Sequence, residues 1–344
     1  MSARCGSRLG LWGCLAGSAL CISLVCATLA AATVATAAGG NAATVDLVFA
    51  GDVVLDDTAG ALIAQGGDPF VDFADVFARA DIRVANLECV VATTGEPGDK
   101  NYTFRAHPRV LPVLKKHFDA LALANNHSGD YGRAAFAEML GLLNQAGLAA
   151  IGGGHNLREA HTPWIVERKG LRIALLAYSE FMPRSFEADF DAPGVAWSED
   201  EQVVHDIRQA RSRYRADLVI PMMHWGWENE RVANARQRQL ARVMIDAGAD
   251  AVIGGHPHVR QDIEIVNGKP VVYSVGNFVM KETDNANQRI GWVLELTLGK
   301  AGVVSWRTHT AAIDMEGIPT PAAVQSSPCG ERGQERPGVC SAAP

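Results

Sequence analysis

Six short apolar runs along this 344-residue chain each stop at a side chain that binds metals or transfers protons. A run of Val, Leu, Ile and Ala of this length is typical of a buried strand, whose end delivers the next side chain to the edge of a sheet. Because six runs deliver similar chemistry, we expect one shared site. The side chains at their ends are Asp52, Glu88, Asn126 with His127 and Asp130, His224, His256 with His258, and Asn277.

Strand-like runs alternate with helical patterns along most of the chain, which predicts an α/β fold. The predicted strands span 45–50, 82–87, 120–124, 172–177, 218–223 and 251–254. The predicted helices span 72–80, 108–117, 133–146, 199–214 and 231–247.

The pattern changes after Asp262, where two β-rich runs flank Asn267-Gly268, a strong signal for a hairpin turn. Runs at 292–298 and 303–310 also predict strands, so we expect a second sheet or an antiparallel edge. Residues 317–344 are rich in Pro, Ala, Ser and Gly, a composition that predicts a disordered tail. The folded domain is therefore expected over 45–314.

Residues 1–37 carry Arg4 and Arg8 before a long uncharged run, the pattern of an export signal peptide. If it is not cut, the run is long enough to be a membrane anchor. Either alternative predicts a periplasmic, extracellular or membrane-anchored protein. Without these two arginines the net charge falls from −7 to −9, which disfavours nucleic acid as a partner.

Three cysteines lie beyond the amino-terminal segment. Cys329 and Cys340 are close enough in sequence to form a disulfide across a short loop in an oxidising compartment. Cys89 lies in an apolar run, where a buried structural cysteine is the favoured interpretation.

The segment His256-Pro257-His258 is the sharpest local signal for metal binding. In an extended conformation both imidazoles lie on one side, and the proline stiffens the backbone between them. His224 offers a third imidazole. Oxygen ligands come from Asp52, Glu88 and Asn126.

This mixed nitrogen and oxygen set without thiolate predicts one or two divalent ions of Mn, Zn, Fe or Ni. Taken singly, Asp52 and Glu88 also fit capping or salt-bridging roles. Asn86 would point the same way as Glu88 along an extended strand, so one of the two is expected to reach the site while the other supports it.

His127 and Asp130 form a candidate catalytic pair, since the acid can orient the imidazole and fix its tautomer. The alternative is a polar loop with an Asx turn. Arg105 is a candidate for pairing with an anionic substrate group, or else a surface arginine. Asn277 either lines the site or shapes a turn beside Gly276.

The order GD, NLE, NNHSGD, HWGWE, GHPH and YSVGNF resembles bacterial capsule-synthesis proteins of the CapA, or poly-γ-glutamate biosynthesis, type. These form a branch of the calcineurin-like metallophosphoesterase superfamily. The resemblance covers roughly 45–310. It implies a four-layer αββα sandwich with a metal site at the strand ends, in an exported and often membrane-tethered protein.

The resemblance also implies roles for the candidate residues. Asn126, His224 and His256 would hold one metal, Asp52 and His258 the other, with Glu88 as the bridging acid. His127 would protonate the leaving group, with Asp130 behind it.

Two positions depart from the superfamily pattern. Val54 stands where the first motif, D-x-H, has histidine, and Glu88 replaces an aspartate. A mononuclear site with a weak second metal is therefore an alternative to the dinuclear one.

These observations predict an exported metal-dependent hydrolase that cleaves a phosphoester or an amide of an anionic polymer such as poly-γ-glutamate. One alternative is a non-catalytic, polymer-binding component of capsule assembly. Another is a general extracellular phosphodiesterase or nucleotidase, against which Val54 argues. The expected partners are the anionic polymer or phosphoester substrate and membrane-bound proteins of capsule synthesis.

Overall fold

The predicted alternation of strands and helices is present in the computed structural model, which describes residues 43–181 and 184–341. The predicted signal or anchor segment, 1–37, lies outside the described residues. The helices are α1 (Asp57–Ala64), α2 (Ala74–Arg79), α3 (Leu111–His117), α4 (Gly132–Gln145), α5 (Leu157–Ala160), α6 (Asp200–Ser212) and α7 (Ala235–Ala247), with short 3-10 turns at Val71–Phe73, Pro108–Val110 and Arg184–Phe186. The strands of the first half are β1 (Val45–Val53), β2 (Ile82–Leu87), β3 (Val90–Val91), β4 (Arg105–Ala106), β5 (Ala120–Ala122), β6 (Ala149–Ile151), β7 (Gly153–Gly154), β8 (Trp164–Arg168) and β9 (Leu171–Ser179). Those of the second half are β10 (Gly194–Val195), β11 (Leu218–His224), β12 (Val252–Gly255), β13 (Ile263–Val266), β14 (Lys269–Val272), β15 (Asn277–Val279), β16 (Ile290–Gly299), β17 (Gly302–Ile313), β18 (Pro319–Pro321), β19 (Ser326–Glu331) and β20 (Gly338–Ser341).

Two large sheets contain the predicted strands. The first has the order β20-β19-β17-β16-β1-β2-β5-β6, with β15 beside β1 and β18 beside β17. Its strands β1, β2, β5 and β6 are parallel, whereas β16 and the strands after it in the chain pair antiparallel. The second has the order β13-β14-β12-β11-β9-β8, with four parallel strands between antiparallel edges.

Alternate residues of β9 show how the layers are stacked. Ile173 and Leu175 belong to the apolar cluster that includes the first sheet, whereas Ala174 and Leu176 belong to the cluster with α6 and α7. Since successive side chains of a strand point to opposite faces, the second sheet lies between the first sheet and these helices.

A helical layer covers the first sheet as well. Phe278 of β15 packs edge-on against Phe73 and Phe77, whose ring centroids lie 5.0 and 5.8 Å away. Phe77 belongs to α2, so the helices of the first half contribute the aromatic part of this core. The predicted αββα sandwich is confirmed.

The predicted hairpin is also confirmed. Val266 pairs with Lys269 across Asn267 and Gly268. These two residues have φ values of 50° and 75°, the left-handed conformations that a two-residue hairpin turn requires.

The predicted disordered tail is wrong for residues 319–341, which form β18, β19 and β20 on the edge of the first sheet. The composition of this segment does not predict strands, because they are stabilised by pairing with a distant neighbour in the sheet. β19 pairs with β17, and the Gly330 position leaves room for the indole of Trp306. A disulfide between Cys329 and Cys340 joins β19 to β20.

Within residues 43–181 and 184–341, no helix combines the length and the apolar character needed to span a bilayer.

Candidate metal centre

The carboxyl ends of strands from both sheets meet at one buried cluster. Asp52 lies near the end of β1 and Glu88 directly follows β2, both in the first sheet. His224 ends β11, while His256 and His258 follow β12 in the second sheet. All five side chains are buried. The expectation of one shared site thus matches their placement.

His224 is the centre of one group of donor atoms. Its Nε2 lies 2.7 Å from Asn126 Oδ1, 3.1 Å from His256 Nδ1 and 3.3 Å from Glu88 Oε1. Ligands bound at about 2.0–2.1 Å from one metal are separated from each other by about 3.0–3.4 Å. These three distances from His224 are therefore close to the spacing within a single coordination shell.

Glu88 belongs to a second group as well. Its Oε1 lies 3.7 Å from His258 Nε2, and the donor atoms of Asp52, Glu88 and His258 all lie within 4.8 Å of one another. The same criterion joins Glu88, His224 and His256. Glu88 is thus shared by two groups, the position of the bridging acid that the resemblance implied.

The residues fit a bound cation. Both carboxylate oxygens of Glu88 are buried without a hydrogen-bond partner among the described residues. Burying an unpaired carboxylate is strongly unfavourable, and coordination to a metal removes that penalty. The nitrogen and oxygen donors suit a divalent transition metal.

Charges within the cluster shift its ionisation. Burial lowers the pKa of His258, but the charges of Glu88 and Asp52 and the hydrogen bonds to Asp52 and Asn277 outweigh it and raise this pKa to about 10. Burial raises the pKa of Asp52, yet the hydrogen bond and charge of His258 lower it below its usual range. For His256, burial and the neighbouring histidines lower the pKa well below its usual value.

The backbone of the His256-Pro257-His258 segment differs from the extended conformation that we expected. His256 and His258 have φ values of 91° and 56°, in the left-handed region. Such conformations cost non-glycine residues about 1–3 kcal/mol and cluster at functional sites. Gly255 just before them is needed for close approach, because a methyl group there would lie 2.9 Å from Asp52 Oδ1.

Two asparagines that sequence reasoning did not assign as ligands support Asp52. Asn86 Nδ2 donates to Asp52 Oδ1 at 2.8 Å, and Asn125 Nδ2 donates to Asn86 Oδ1 at 3.1 Å. Of the pair Asn86 and Glu88, Glu88 is therefore the one placed among the donor atoms, and Asn86 supports. In the sequence, the only local indication of this hydrogen-bond network is the pair of adjacent asparagines, Asn125 and Asn126.

Asn277 lies against a histidine instead of lining a cleft. Its Oδ1 is 2.9 Å from His258 Nδ1, and its Nδ2 donates to the carbonyl of Gln288 at 3.0 Å. The reason is strand register, since β15 pairs with β1 and places Asn277 opposite Asp52. With Nδ1 held by Asn277, the Nε2 of His258 is left facing Glu88. The contacts therefore point to orientation of His258.

His127 and Asp130 form the predicted pair. His127 Nδ1 lies 2.7 Å from Asp130 Oδ2, which also accepts from the Phe104 amide at 2.8 Å. Lys100 pairs with Asp130 and donates to the Asn126 carbonyl at 2.8 Å. No sequence motif had singled out Lys100, because its partners are 26 and 30 residues away.

Arg105 is not brought to the cluster by any contact of its guanidinium. That group donates to the carbonyls of Gly95 and Thr94 and lies 4.3 Å over the ring of Tyr131. The short pairing of β3 with β4 fixes its backbone at Val90. Its Nη1 is thus engaged within the protein, and the substrate contact stays a prediction.

A cleft of about 330 Å³ adjoins the cluster at Asn126. Its walls include Lys100, Phe181, Arg184 and Trp197. Arg184 is paired with Glu187 and Glu199, and Lys100 with Asp130, so both cations of this wall already have partners.

Residues 46–282, well over half of the chain, match the family model for the bacterial capsule synthesis protein PGA_cap. The chain belongs to this PGA_cap family. The predicted resemblance to CapA-type proteins is therefore confirmed. The matched range includes the strand ends and all six candidate ligands.

Curated relatives of this PGA_cap protein have names that refer to capsule or PGA biosynthesis. It is 33% identical over 240 residues to the PGA biosynthesis protein CapA of Bacillus subtilis, covering 68% of this chain and 63% of the relative. It is 31% identical over 190 residues to the capsule biosynthesis protein CapA of Bacillus anthracis, covering 54% and 46%. The chain thus matches about half to two thirds of the length of these relatives.

Among solved structures, the NAD nucleotidase NadN of Haemophilus influenzae aligns with 82% of this chain and 60% of its own. The TM-score is 0.48 and the sequence identity 10%. A likeness at this level says nothing about substrate.

Proposed function

We propose that this PGA_cap protein is an exported, metal-dependent hydrolase of capsule or cell-envelope polymer synthesis, which cleaves a phosphoester or an amide of an anionic polymer. The observation that carries the proposal is Glu88, a fully buried carboxylate without a hydrogen-bond partner among the described residues, shared by two groups of donor atoms. The names of the Bacillus relatives support the cellular process.

A divalent metal bound there would supply Lewis-acid polarisation and a coordinated water of lowered pKa. One ion would be held by Asn126, His224 and His256, and the other by Asp52 and His258, with Glu88 contacting both. Asn86 and Asn277 would keep Asp52 and His258 in position through their hydrogen bonds.

His127 is suited to protonate the leaving group. Its Nδ1 is held by Asp130, which orients the ring, so that Nε2 is the atom left to donate. The ring also lies 4.4 Å from that of Phe104, which limits its rotation. Proton transfer of this kind contributes about 10²- to 10⁴-fold to the rate.

Metal content of the full chain, purified in detergent, tests the site. We expect one or two transition-metal ions per chain in the wild type and loss of metal in His256→Ala and His224→Ala. His309→Ala is the matched control, because that histidine pairs with Glu295 on the far strands of the first sheet. Unchanged metal in the first two variants would show that the ligand assignment is wrong.

Activity of the metal-loaded chain tests the chemistry. With phosphoesters and γ-glutamyl polymers as substrates, His127→Ala should retain metal and lose about 10²- to 10⁴-fold in kcat. Equal kcat in this variant and the wild type would exclude His127 as the proton donor.

A non-catalytic, polymer-binding role in capsule assembly is the second candidate. Val54, buried in the core, stands where the superfamily's first motif has histidine, so one polar group of a full hydrolase site is absent. A metal-loaded chain that binds polymer and cleaves none of the substrates would favour this role, with membrane-bound proteins of capsule synthesis as its proposed partners. Cleavage of nucleotides alone would instead favour the nucleotidase alternative.

A further inference from the structure

Arg260 is a half-buried arginine whose side chain has no hydrogen-bond or ion-pair partner among the described residues. Its guanidinium makes no hydrogen bond or ion pair with any residue in the described ranges, 43–181 and 184–341. Seven other half-buried arginines donate to carboxylates or carbonyls; they are Arg83, Arg105, Arg133, Arg172, Arg211, Arg236 and Arg238. Arg289 is the exception, since its buried Nε also has no hydrogen-bond partner among the described residues. A half-buried guanidinium has lost part of its hydration, so one without an acceptor is unfavourable unless something else supplies one.

Arg260 lies beside the His258 half of the cluster. It follows His258 by two residues, and its side chain passes over Gly276, where a methyl group would lie 3.5 Å from its Cγ. Gly276 directly precedes Asn277, the residue that contacts His258. The stem of Arg260 is therefore anchored at the edge of the candidate metal centre.

The guanidinium of Arg260 lies over the indole ring of Trp292. The Cζ of Arg260 lies 5.0 Å from the centroid of the Trp292 ring, a cation–π contact. The Nε1 of Trp292 is buried and also lacks a hydrogen-bond partner among the described residues. The exposed Arg231 adds another positive charge close to Arg260, since its charge lowers the pKa of Arg260 beyond the effect of burial.

Hydrogen-bond donors and positive charge thus lie together around Arg260 without an acceptor among the described residues. The cations on the cleft wall near Asn126 differ, because Lys100 and Arg184 are already paired with acids. A planar, fixed guanidinium matches a carboxylate or phosphate through two parallel hydrogen bonds.

We propose that Arg260, held on Trp292, binds an oxyanion of the substrate beside the His258 half of the metal centre. This proposal rests on the proposed function, because it assigns a specificity residue to the same site. The oxyanion is either a carboxylate of a glutamyl polymer or a phosphate, and Arg260 takes the anion-binding role that the sequence had suggested for Arg105.

Affinity measurements on the metal-loaded full chain test this proposal, with a γ-glutamyl oligomer and inorganic phosphate as the two probes. Arg260→Gln keeps a polar side chain of moderate length, so it should retain metal while the Kd of the bound anion rises about 10- to 100-fold. Arg260→Lys should recover part of the affinity, because the charge remains. Arg307→Gln, an exposed arginine of β17, is the matched control and should not change the Kd.

The two probes separate the sources of the oxyanion. An effect of Arg260→Gln on the oligomer alone identifies a carboxylate, whereas an effect on phosphate identifies a phosphoester. The proposal is overturned if Arg260→Gln leaves the Kd of both probes unchanged, or if the metal-loaded wild type binds neither. It is also overturned if the variant weakens an uncharged γ-glutaminyl oligomer equally, because the loss would then not depend on charge.

Failure of the proposed function gives a different result. If the wild-type chain binds no metal, the proposed metal-dependent hydrolysis is wrong, whatever effect the Arg260 variants have on anion binding. A chain that binds metal and oligomer, but with an affinity independent of Arg260, overturns only this assignment.

Discussion

Metal binding at the His258 half should release a proton even in mildly alkaline solution. A metal can bind only to an unprotonated imidazole nitrogen, and the pKa of His258 in the metal-free chain is raised to about 10 by Glu88 and Asp52. At pH 8 roughly 99% of this histidine carries the proton that the metal must displace. By contrast, His256 has a lowered pKa and is already neutral, while Asp52 is already ionised.

The magnitude follows from this pKa. Each pH unit below about 10 should weaken the apparent affinity of the His258 half about tenfold, so it should fall roughly 100-fold between pH 9 and pH 7. Isothermal titration calorimetry in two buffers of different protonation enthalpy measures the proton count directly. We expect about one proton released per ion bound at this half.

His258→Gln is the control, since it cannot release this proton. If the wild type binds a second ion at pH 8 without net proton release, the reasoning about His258 is refuted. The same would hold if His258→Gln released as many protons as the wild type.

In the metal-free chain, the protonated His258 also stabilises the fold. The folded pKa of His258, about 10, lies above its unfolded value near 6.5. Its contribution to the free energy of unfolding is therefore fully present below pH 6.5 and is lost as the pH rises through 10. Chemical unfolding of the metal-free chain across this range should show that loss, and His258→Gln should flatten it.

Two further predictions concern the tail and the strand ends. Replacing Cys329 and Cys340 together with serine should lower the free energy of unfolding by about 3 kcal/mol, because their sequence separation of 11 closes a short loop. An unchanged urea midpoint would contradict this. Gly255→Ala should weaken metal binding at least tenfold, because the added methyl group displaces Asp52. Gly141→Ala in α4, where the methyl group meets nothing within 4 Å, should leave metal binding unchanged, and equal loss in both variants would argue against the geometry.

Local patterns in the sequence were enough for the longer buried strands, for α2, α3, α4, α6 and α7, and for the position of the cluster. The helix predicted at 133–146 is observed at Gly132–Gln145, and the hairpin at Asn267-Gly268 has the predicted turn. Apolar runs and turn residues predict the secondary structure of the segment in which they lie. Parallel strands place their carboxyl ends at one edge of the sheet. Motif order could therefore bring Asp52 and His256 into one predicted site.

Side-chain roles depended on neighbours that the local pattern does not contain. Asn277 was expected either to line the site or to shape a turn, and the pairing of β15 with β1 places it against His258. Arg105 depends on distant neighbours in the same way, since its Nη1 donates to the carbonyls of Thr94 and Gly95 in a loop. Arg260, which no motif had indicated, is a half-buried arginine without an acceptor among the described residues.

By itself, the sequence determined the α/β class, the order of the elements and which side chains end the buried strands, because each depends on short segments of chain. Only the tertiary structure decided which donor atoms face each other, since Asp52 and His256 are 204 residues apart and meet through the stacking of two sheets. It also decided that Glu88 is shared between two groups and that residues 319–341 extend the first sheet. Pairing, register and desolvation are properties of distant segments in contact, and for that reason they are not encoded in any local run.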